Sequence, residues 1–148
     1  NKKLIDSKHR INMINIAIEN EKNMKVFNFE IKNNLSSETL NTIKLLNKSE
    51  YINHYKFYFI IGLDVANNLT SWENYHELIN IIKFIVVPRK GYKINETWFL
   101  KDGHKYLYNI EVDDLSSTSF KKNLKKKNNL EKIINKNVLK YIKKNDLY

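Results

Sequence analysis

Apolar residues recur at helical spacing in the first part of the chain. Ile11, Ile14 and Ile18 lie three and four positions apart, behind Asp6 or Ser7, either of which can cap a helix. The pattern predicts a helix that ends near residue 20.

The next segment changes to a period of two. Phe27, Phe29 and Ile31 alternate with polar residues, which predicts a half-buried strand over Lys25 to Ile31. After a polar turn, Ser37 is a plausible N-cap for a second helix. That helix carries Leu40, Ile43 and Leu46 on one face.

Two continuous apolar runs follow, and each predicts a strand buried on both faces. The first covers residues 57–61 and stops at Gly62, and the second covers residues 84–87 and is closed by Pro88. Between them, Ser71 opens a predicted helix over Trp72 to Ile82.

A strand, helix, strand unit predicts an α/β fold with a doubly wound, Rossmann-like parallel sheet in three layers. Ligands bind such sheets beyond the carboxyl ends of the strands. The segments from Gly62 to Thr70 and from Arg89 to Tyr92 therefore lie on the predicted binding edge.

The last third of the chain predicts one more strand and a helical end. Tyr106 to Val112 is rich in β-forming residues, and a helix is expected to begin near Ser119. Beyond residue 128, apolar residues keep helical spacing and predict one or two packed helices: Ile133, Ile134, Val138, Tyr141 and Ile142. We therefore divide the chain into a core of residues 1–114 and a helical segment of residues 115–148.

Composition narrows the class of protein. The formal net charge is +10. Two explanations of this charge stay open: the codon bias of an AT-rich genome, which would also account for the frequent Lys, Asn and Ile, and a surface that attracts anionic ligands. The chain has no Cys, which excludes disulfides and thiolate sites. No apolar run approaches the ~20 residues of a membrane span, so we expect a soluble, cytoplasmic protein without a membrane partner.

Candidate site residues follow the two apolar runs. Asp64 would place a carboxylate where the ribose hydroxyls of a nucleotide arrive, and Gly62 would let the backbone approach closely. Trp72 is suited to stacking on a heteroaromatic ring, and Arg89 could face an anion. An ordinary turn at Asp64, core packing of Trp72 and a solvated Arg89 remain open alternatives.

A hydroxyl-rich stretch supplies a candidate phosphate site. Ser116, Ser117 and Thr118, with Lys121, surround one predicted helix N-terminus, where backbone N–H groups favour phosphate. The four His residues show neither metal-ligand spacing nor a partnered nucleophile, so no metal site is predicted.

These segments, in this order, resemble the nicotinate-nucleotide adenylyltransferases of the nucleotidylyltransferase superfamily. The resemblance is carried by Phe59 to Asp64, Trp72, Val86 to Tyr92, and Leu115 to Lys121, the last being similar to an Ile-Ser-Ser-Thr-x-Ile-Arg motif. It extends from Arg10 to the C-terminal helix, and so covers essentially the whole chain.

The resemblance implies adenylyl transfer from ATP to nicotinate or nicotinamide mononucleotide in NAD biosynthesis, assisted by Mg²⁺. It implies that Thr39, Gly62, Asp64, Trp72 and Arg89 bind the mononucleotide, with Trp72 stacking on the pyridine ring. The ATP phosphates would bind Ser117, Thr118 and Lys121. A cytoplasmic location, or a nuclear one in a eukaryote, is expected, and a homo-oligomer stays open.

Three departures from the family pattern matter. Its Gly-x-Phe-Asp-Pro-x-His-x-Gly-His signature is absent, so the catalytic His pair lies outside this chain and we expect an N-terminally incomplete sheet that lacks its first strand and helix. Lys121 stands in place of an Arg, so a guanidinium that can bind phosphate in a bidentate way is replaced by an ammonium, which acts as a point charge. Glu38 before Thr39 is similar to the nicotinamide-type eukaryotic branch, so the preferred base stays open.

Two other functions remain alternatives. One is a superfamily member that acts on a different phosphorylated substrate. The other is a basic nucleic-acid-binding module that uses Lys121 to Lys127 and the C-terminal helices. Against the second, no nucleic-acid motif is present, and the aromatic residues lie in predicted strands.

Overall fold

The structure, a computed structural model, describes residues 5–35, 38–110, 112–113, 120 and 134–148. The chain divides into two compact units: Leu35–Asp114, and Asn1–Asn34 together with Leu115–Tyr148. The predicted division at residue 114 stays a prediction. The predicted N-cap Ser37, the helix start at Ser119 and the residues of the phosphate motif, Ser116, Ser117, Thr118 and Lys121, lie outside the described residues.

The unit Leu35–Asp114 is built on a parallel sheet. Its described strands are β1 (Tyr58–Gly62), β2 (Lys83–Val87) and β3 (Lys105–Tyr106), in the order β1-β2-β3. β1 and β2 pair in parallel from Tyr58 opposite Lys83 to Gly62 opposite Val87. The α/β class and the parallel strand, helix, strand unit predicted from the apolar runs are confirmed.

Short helices connect β1 to β2. They are α4 (Leu63–Ala66), a 3₁₀ turn (Leu69–Ser71) and α5 (Tyr75–Ile81). The predicted helix start at Trp72 is wrong, because Asn74 has φ 60°, a left-handed conformation that separates the 3₁₀ turn from α5. Trp72 therefore lies in the connection and not on the helix.

The core of this unit lies against one face of the sheet. Phe84 and Val86 of β2 are fully buried, and so are Leu69 and Phe99. On β1, however, Ile60 is 64% exposed, so the prediction that this strand is buried on both faces is wrong. Within the described sheet β2 is paired on both sides, whereas β1 is paired on one side and is an edge strand.

A further helix, α3 (Thr39–Asn47), covers the same core. Ile43 is buried in the core cluster with Leu40 packed against it, and Leu46 is also buried, as the helical spacing predicted. Short 3₁₀ turns lie at Glu50–Asn53 and Trp98–Leu100, and the second of these buries Trp98 and Phe99.

The other unit pairs an N-terminal with a C-terminal helix. α1 (Ser7–Ala17) is capped by the Asp6 side chain, and α6 (Lys136–Lys144) by that of Asn135, with Val138, Leu139 and Ile142 of α6 buried. The hydroxyl of Tyr141 lies 2.9 Å from Nδ1 of His9 and accepts from Asn12 at 3.0 Å. Both helices were predicted from the apolar spacing.

The predicted strand over Lys25 to Ile31 is wrong. The segment instead ends in one turn of helix, α2 (Phe29–Lys32). The Asn33 side chain donates to the Phe29 carbonyl at 2.8 Å, and Asn34 follows at φ 50°. Local bonds of this kind satisfy the backbone without a partner strand, and alternating Phe27 and Phe29 simply stack at 5.4 Å.

The predicted strand over Tyr106 to Val112 is only partly present. β3 ends at Tyr106, Tyr108 is 73% exposed, and pairing resumes at a single bridge between Val112 and Arg89. Among the described residues, no helix is long and apolar enough to cross a lipid bilayer.

Candidate active site

The register of β1 and β2 brings two predicted site residues together. Gly62 and Val87 are paired and are the last residues of β1 and β2. Asp64 and Arg89 each lie two residues beyond these strand ends. Parallel strands end at the same edge of the sheet, so these positions are neighbours although they lie 25 residues apart in sequence. The Arg89 guanidinium donates from Nη1 to Oδ2 of Asp64 at 2.5 Å.

Gly62 makes room for that carboxylate. Oδ1 of Asp64 lies directly over the Gly62 backbone, in the space that a Cβ atom would occupy, and the Arg89 side chain passes 3.7 Å from the same point. Oδ1 is buried and has no hydrogen-bond partner among the described residues. The Gly62-x-Asp64 spacing thus packs a carboxylate against bare backbone at the carboxyl end of β1.

The backbone around Arg89 is held by a third segment. Lys90 N–H donates to the Val112 carbonyl at 2.9 Å, and Val112 N–H donates to the Pro88 carbonyl at 3.1 Å. These bonds flank Arg89 on both sides. The side chain therefore leaves a fixed point of the chain toward Asp64.

Asn67 is a site-forming residue that the sequence did not reveal. Its Nδ2 donates to the Lys93 carbonyl at 2.8 Å, and its Oδ1 accepts from the Asn95 N–H at 3.0 Å. The side chain thereby ties the segment after β2 to the segment after β1. In a chain so rich in Asn, no local signal distinguishes this one from the others.

The two tryptophans have opposite environments. Trp98 is 7% exposed, donates from Nε1 to the Ala66 carbonyl at 3.0 Å, and packs edge-on against Phe84 and Phe99. Trp72 is 38% exposed and makes no ring contact with any described aromatic residue. Core packing therefore accounts for Trp98, while Trp72 keeps ring surface open to a ligand.

Thr39 is the first residue of α3, on a different element from the cluster of Gly62, Asp64 and Arg89. It is partly buried and follows Glu38, whose carboxylate accepts from Asn41 at 2.5 Å. Its proposed contact with the mononucleotide stays a prediction, as do the roles of Trp72 and Arg89 in binding.

His104 packs beside β2 and has a structural hydrogen bond. Nδ1 of His104 accepts from the Phe84 N–H at 3.1 Å, and the ring packs edge-on against Trp98. Burial lowers the pKa of His104, Lys83 lowers it further, and Asp102 opposes the shift. Among the described residues, no group of three or more His, Asp or Glu side chains could hold a metal ion.

Comparison with known proteins shows which family the chain resembles. A family model described as cytidylyltransferase-like matches residues 1–123. The chain is 32% identical over 148 residues to the nicotinate-nucleotide adenylyltransferase of Bacillus subtilis, a match that covers 100% of this chain and 75% of that protein.

Two solved structures are also similar. Both are of the Plasmodium falciparum nicotinic acid mononucleotide adenylyltransferase, one complexed with NaAD and one with APC. The first superposes with a TM-score of 0.76 at 26% identity, covering 99% of this chain and 76% of that one. The second gives a TM-score of 0.70 at 28% identity and covers 98% and 77%. The chain therefore belongs to the nicotinate-nucleotide adenylyltransferase family, within the cytidylyltransferase-like proteins.

Proposed function

We propose that the protein transfers the adenylyl group of ATP to nicotinate mononucleotide, giving the dinucleotide and pyrophosphate in NAD biosynthesis. Relatives that share its family carry this activity in their names, and one similar structure was determined with NaAD. The observation that carries the proposal is the cluster of Gly62, Asp64 and Arg89 at the carboxyl edge of the sheet, where nucleotides bind such folds.

The reaction requires positioning more than covalent chemistry. An oxygen of the mononucleotide phosphate attacks the α-phosphorus of ATP, and the bond from that phosphorus to the bridging oxygen breaks as pyrophosphate leaves. No protein nucleophile is needed. Catalysis then comes from holding the two phosphates in line and neutralising developing charge.

Each predicted residue has a role in this scheme. Asp64 accepts a hydrogen bond from a ribose hydroxyl, and Gly62 leaves the space that the Asp64 carboxylate occupies. Trp72 stacks on the pyridine ring, using the ring surface that the fold leaves exposed. Thr39 completes the mononucleotide side. Ser117, Thr118 and Lys121, which lie outside the described residues, bind the phosphates of ATP.

Magnesium belongs to the ATP substrate in this proposal. It enters bound to ATP, whose phosphate oxygens are ligands of the kind that Mg²⁺ prefers. The cytoplasmic location and a homo-oligomeric state stay predictions.

The test is an assay of the full-length protein with MgATP and nicotinate mononucleotide. We expect the dinucleotide and pyrophosphate in equal amounts, with nicotinamide mononucleotide as the competing substrate. Formation of no dinucleotide from either mononucleotide would overturn the proposal. A second arm with CTP tests the broader family description, since product from CTP alone would assign a different nucleotide.

Trp72→Ala tests the pyridine site specifically. We expect the KM for the mononucleotide to rise by about 10-fold or more, because stacking of one base contributes roughly 1–3 kcal/mol. Tyr55→Ala is the matched control: Tyr55 is also exposed, at 62%, but lies before β1 at the opposite end of the strand. An unchanged KM in Trp72→Ala would indicate a phosphorylated substrate without a stacked ring.

A further inference from the structure

The carboxylate of Asp64 is only partly used by the protein. Oδ2 accepts from Arg89, whereas Oδ1 has no hydrogen-bond partner among the described residues. An ionised carboxylate can accept about four hydrogen bonds. Oδ1 itself is covered by the protein, whereas the Asp64 side chain as a whole is 23% exposed. A ligand hydroxyl would therefore approach the carboxylate from its exposed side, beside Arg89.

The ion pair is well shielded from solvent. The side chains of Arg89 and Asp64 are 21% and 23% exposed. The neighbouring pair of Lys90 and Asp113 differs: its atoms are 3.7 Å apart, and its side chains are 70% and 74% exposed. Attraction between charges is screened far less in the first setting, so Arg89 restrains Asp64 much more strongly than a surface pair would.

Arg89 is built to hold a direction. Backbone bonds to Val112 on both sides of it fix its main chain, and most of its side chain is covered. The guanidinium donates to Oδ2 from a rigid planar group, whereas an ammonium is a rotating point charge on a flexible stem. Without Arg89, the Asp64 carboxylate would be free to rotate away from Gly62.

We propose that Arg89 is a positioning residue that acts on the nucleotide through Asp64: it orients the carboxylate over Gly62 to receive a ribose hydroxyl and does not itself contact the substrate. This inference rests on the proposed function. It assigns Arg89 a different role from direct binding of the mononucleotide, and the two roles make different quantitative predictions.

The experiment is a double-mutant cycle in the full-length protein. Arg89→Met, Asp64→Asn and the double variant are compared with the wild type in the MgATP and nicotinate mononucleotide assay. Arg89→Lys keeps the charge and provides a folded variant if Arg89→Met does not fold. Lys44→Met is the matched control, because it removes a positive charge from an exposed ion pair, Lys44 with Glu77, away from Asp64.

We expect Arg89→Met to raise the KM for the mononucleotide ~10-fold with kcat within ~2-fold, and Arg89→Lys to restore part of the loss. In the Asp64→Asn background, Arg89→Met should add less than ~2-fold, because coupled residues are not additive. Lys44→Met should stay within ~2-fold of the wild type.

A second readout uses the sugar itself. Nicotinate mononucleotide and its 2′-deoxy and 3′-deoxy forms are compared as substrates. The wild type should prefer the ribose form, and Asp64→Asn and Arg89→Met should lose that preference to the same extent. A purely structural role for Arg89 would lower activity toward all three sugars equally.

Two results would overturn the inference. One is additive effects of Arg89→Met and Asp64→Asn on the KM, which would place Arg89 on the substrate itself. The other is an unchanged preference for ribose in Arg89→Met. Both require a wild-type protein that forms the dinucleotide, so failure of the proposed function is recognised separately, by the absence of product in every variant.

Discussion

Replacing Gly62 by alanine should damage the site while largely sparing the fold. Gly62 has φ −76° and ψ 158°, an extended conformation that alanine also adopts. The added Cβ, however, would overlap Oδ1 of Asp64 and lie 3.7 Å from Cδ of Arg89. The carboxylate must therefore swing away from Gly62, and its hydrogen bond with Arg89 is lost or distorted.

The magnitudes follow from those contacts. A hydrogen bond to a charged group contributes about 1.5–3 kcal/mol, and alanine offsets about 0.4–1 kcal/mol of this by restricting the unfolded chain. The free energy of unfolding should thus fall by about 0.5–2.5 kcal/mol. Displacing the carboxylate from the ribose should lower kcat/KM by ~10–100-fold, equivalent to about 1.4–2.8 kcal/mol.

Gly103→Ala is the matched control, with the opposite expectation. Gly103 has φ +81°, and the nearest atom to an added Cβ is Lys83 Cε at 3.8 Å, so space is available but the backbone is strained. A left-handed conformation costs a residue with a Cβ about 1–2 kcal/mol. Gly103 precedes β3 and lies at the amino end of the sheet, so stability should fall while kcat/KM is retained.

Both variants are measured in the same two assays: chemical denaturation for the free energy of unfolding, and steady-state kinetics with MgATP and nicotinate mononucleotide. The reasoning is refuted if Gly62→Ala has wild-type kcat/KM, or if its loss of activity matches the fraction of unfolded protein. It is also refuted if Gly103→Ala loses activity while fully folded.

Three further predictions concern stability. Folding lowers the pKa of His104 from 6.5, so on acidification the imidazole is protonated more readily in the unfolded chain than in the folded one. The free energy of unfolding should therefore fall as the pH drops below 6.5. Denaturation measured from pH 8 to 5 should show this fall, and His104→Gln should remove the contribution. Phe99→Ala empties a fully buried site and should cost about 3–5 kcal/mol by denaturant titration, with a loss below 1 kcal/mol contradicting the described core. Asn67→Ala removes two hydrogen bonds and should lower the free energy of unfolding by about 1–2 kcal/mol. Hydrogen exchange should show faster exchange of the Asn95 amide, and unchanged protection of that amide would exclude the proposed hydrogen bond to Asn67.

Local pattern alone determined the elements whose apolar residues recur with a clear period or in a continuous run, including α1, in which no residue is buried. The α1, α3 and α6 helices follow their helical spacing, and β2 follows a continuous apolar run closed by Pro88, because each pattern matches a single backbone period. Three predictions were wrong, the strand over Lys25 to Ile31, the helix start at Trp72 and burial of both faces of β1, because they depended on something outside the segment. A strand over Lys25 to Ile31 would need a partner strand. The helix start was decided by the left-handed backbone of Asn74. Burial of both faces of β1 would need an element packed against Ile60, which is exposed.

The sequence by itself also determined that Gly62 ends one strand and that Asp64 and Arg89 follow strands that end at the same edge of a sheet. Only the tertiary structure decided that Asp64 and Arg89 form an ion pair, since this depends on the register that sets Gly62 opposite Val87. A shift of one residue would separate them. It likewise decided which tryptophan is buried, because Trp98 and Trp72 differ in their surroundings and not in any local pattern. Burial and pairing belong to contacts between distant segments, so the chain encodes them only through the fold as a whole.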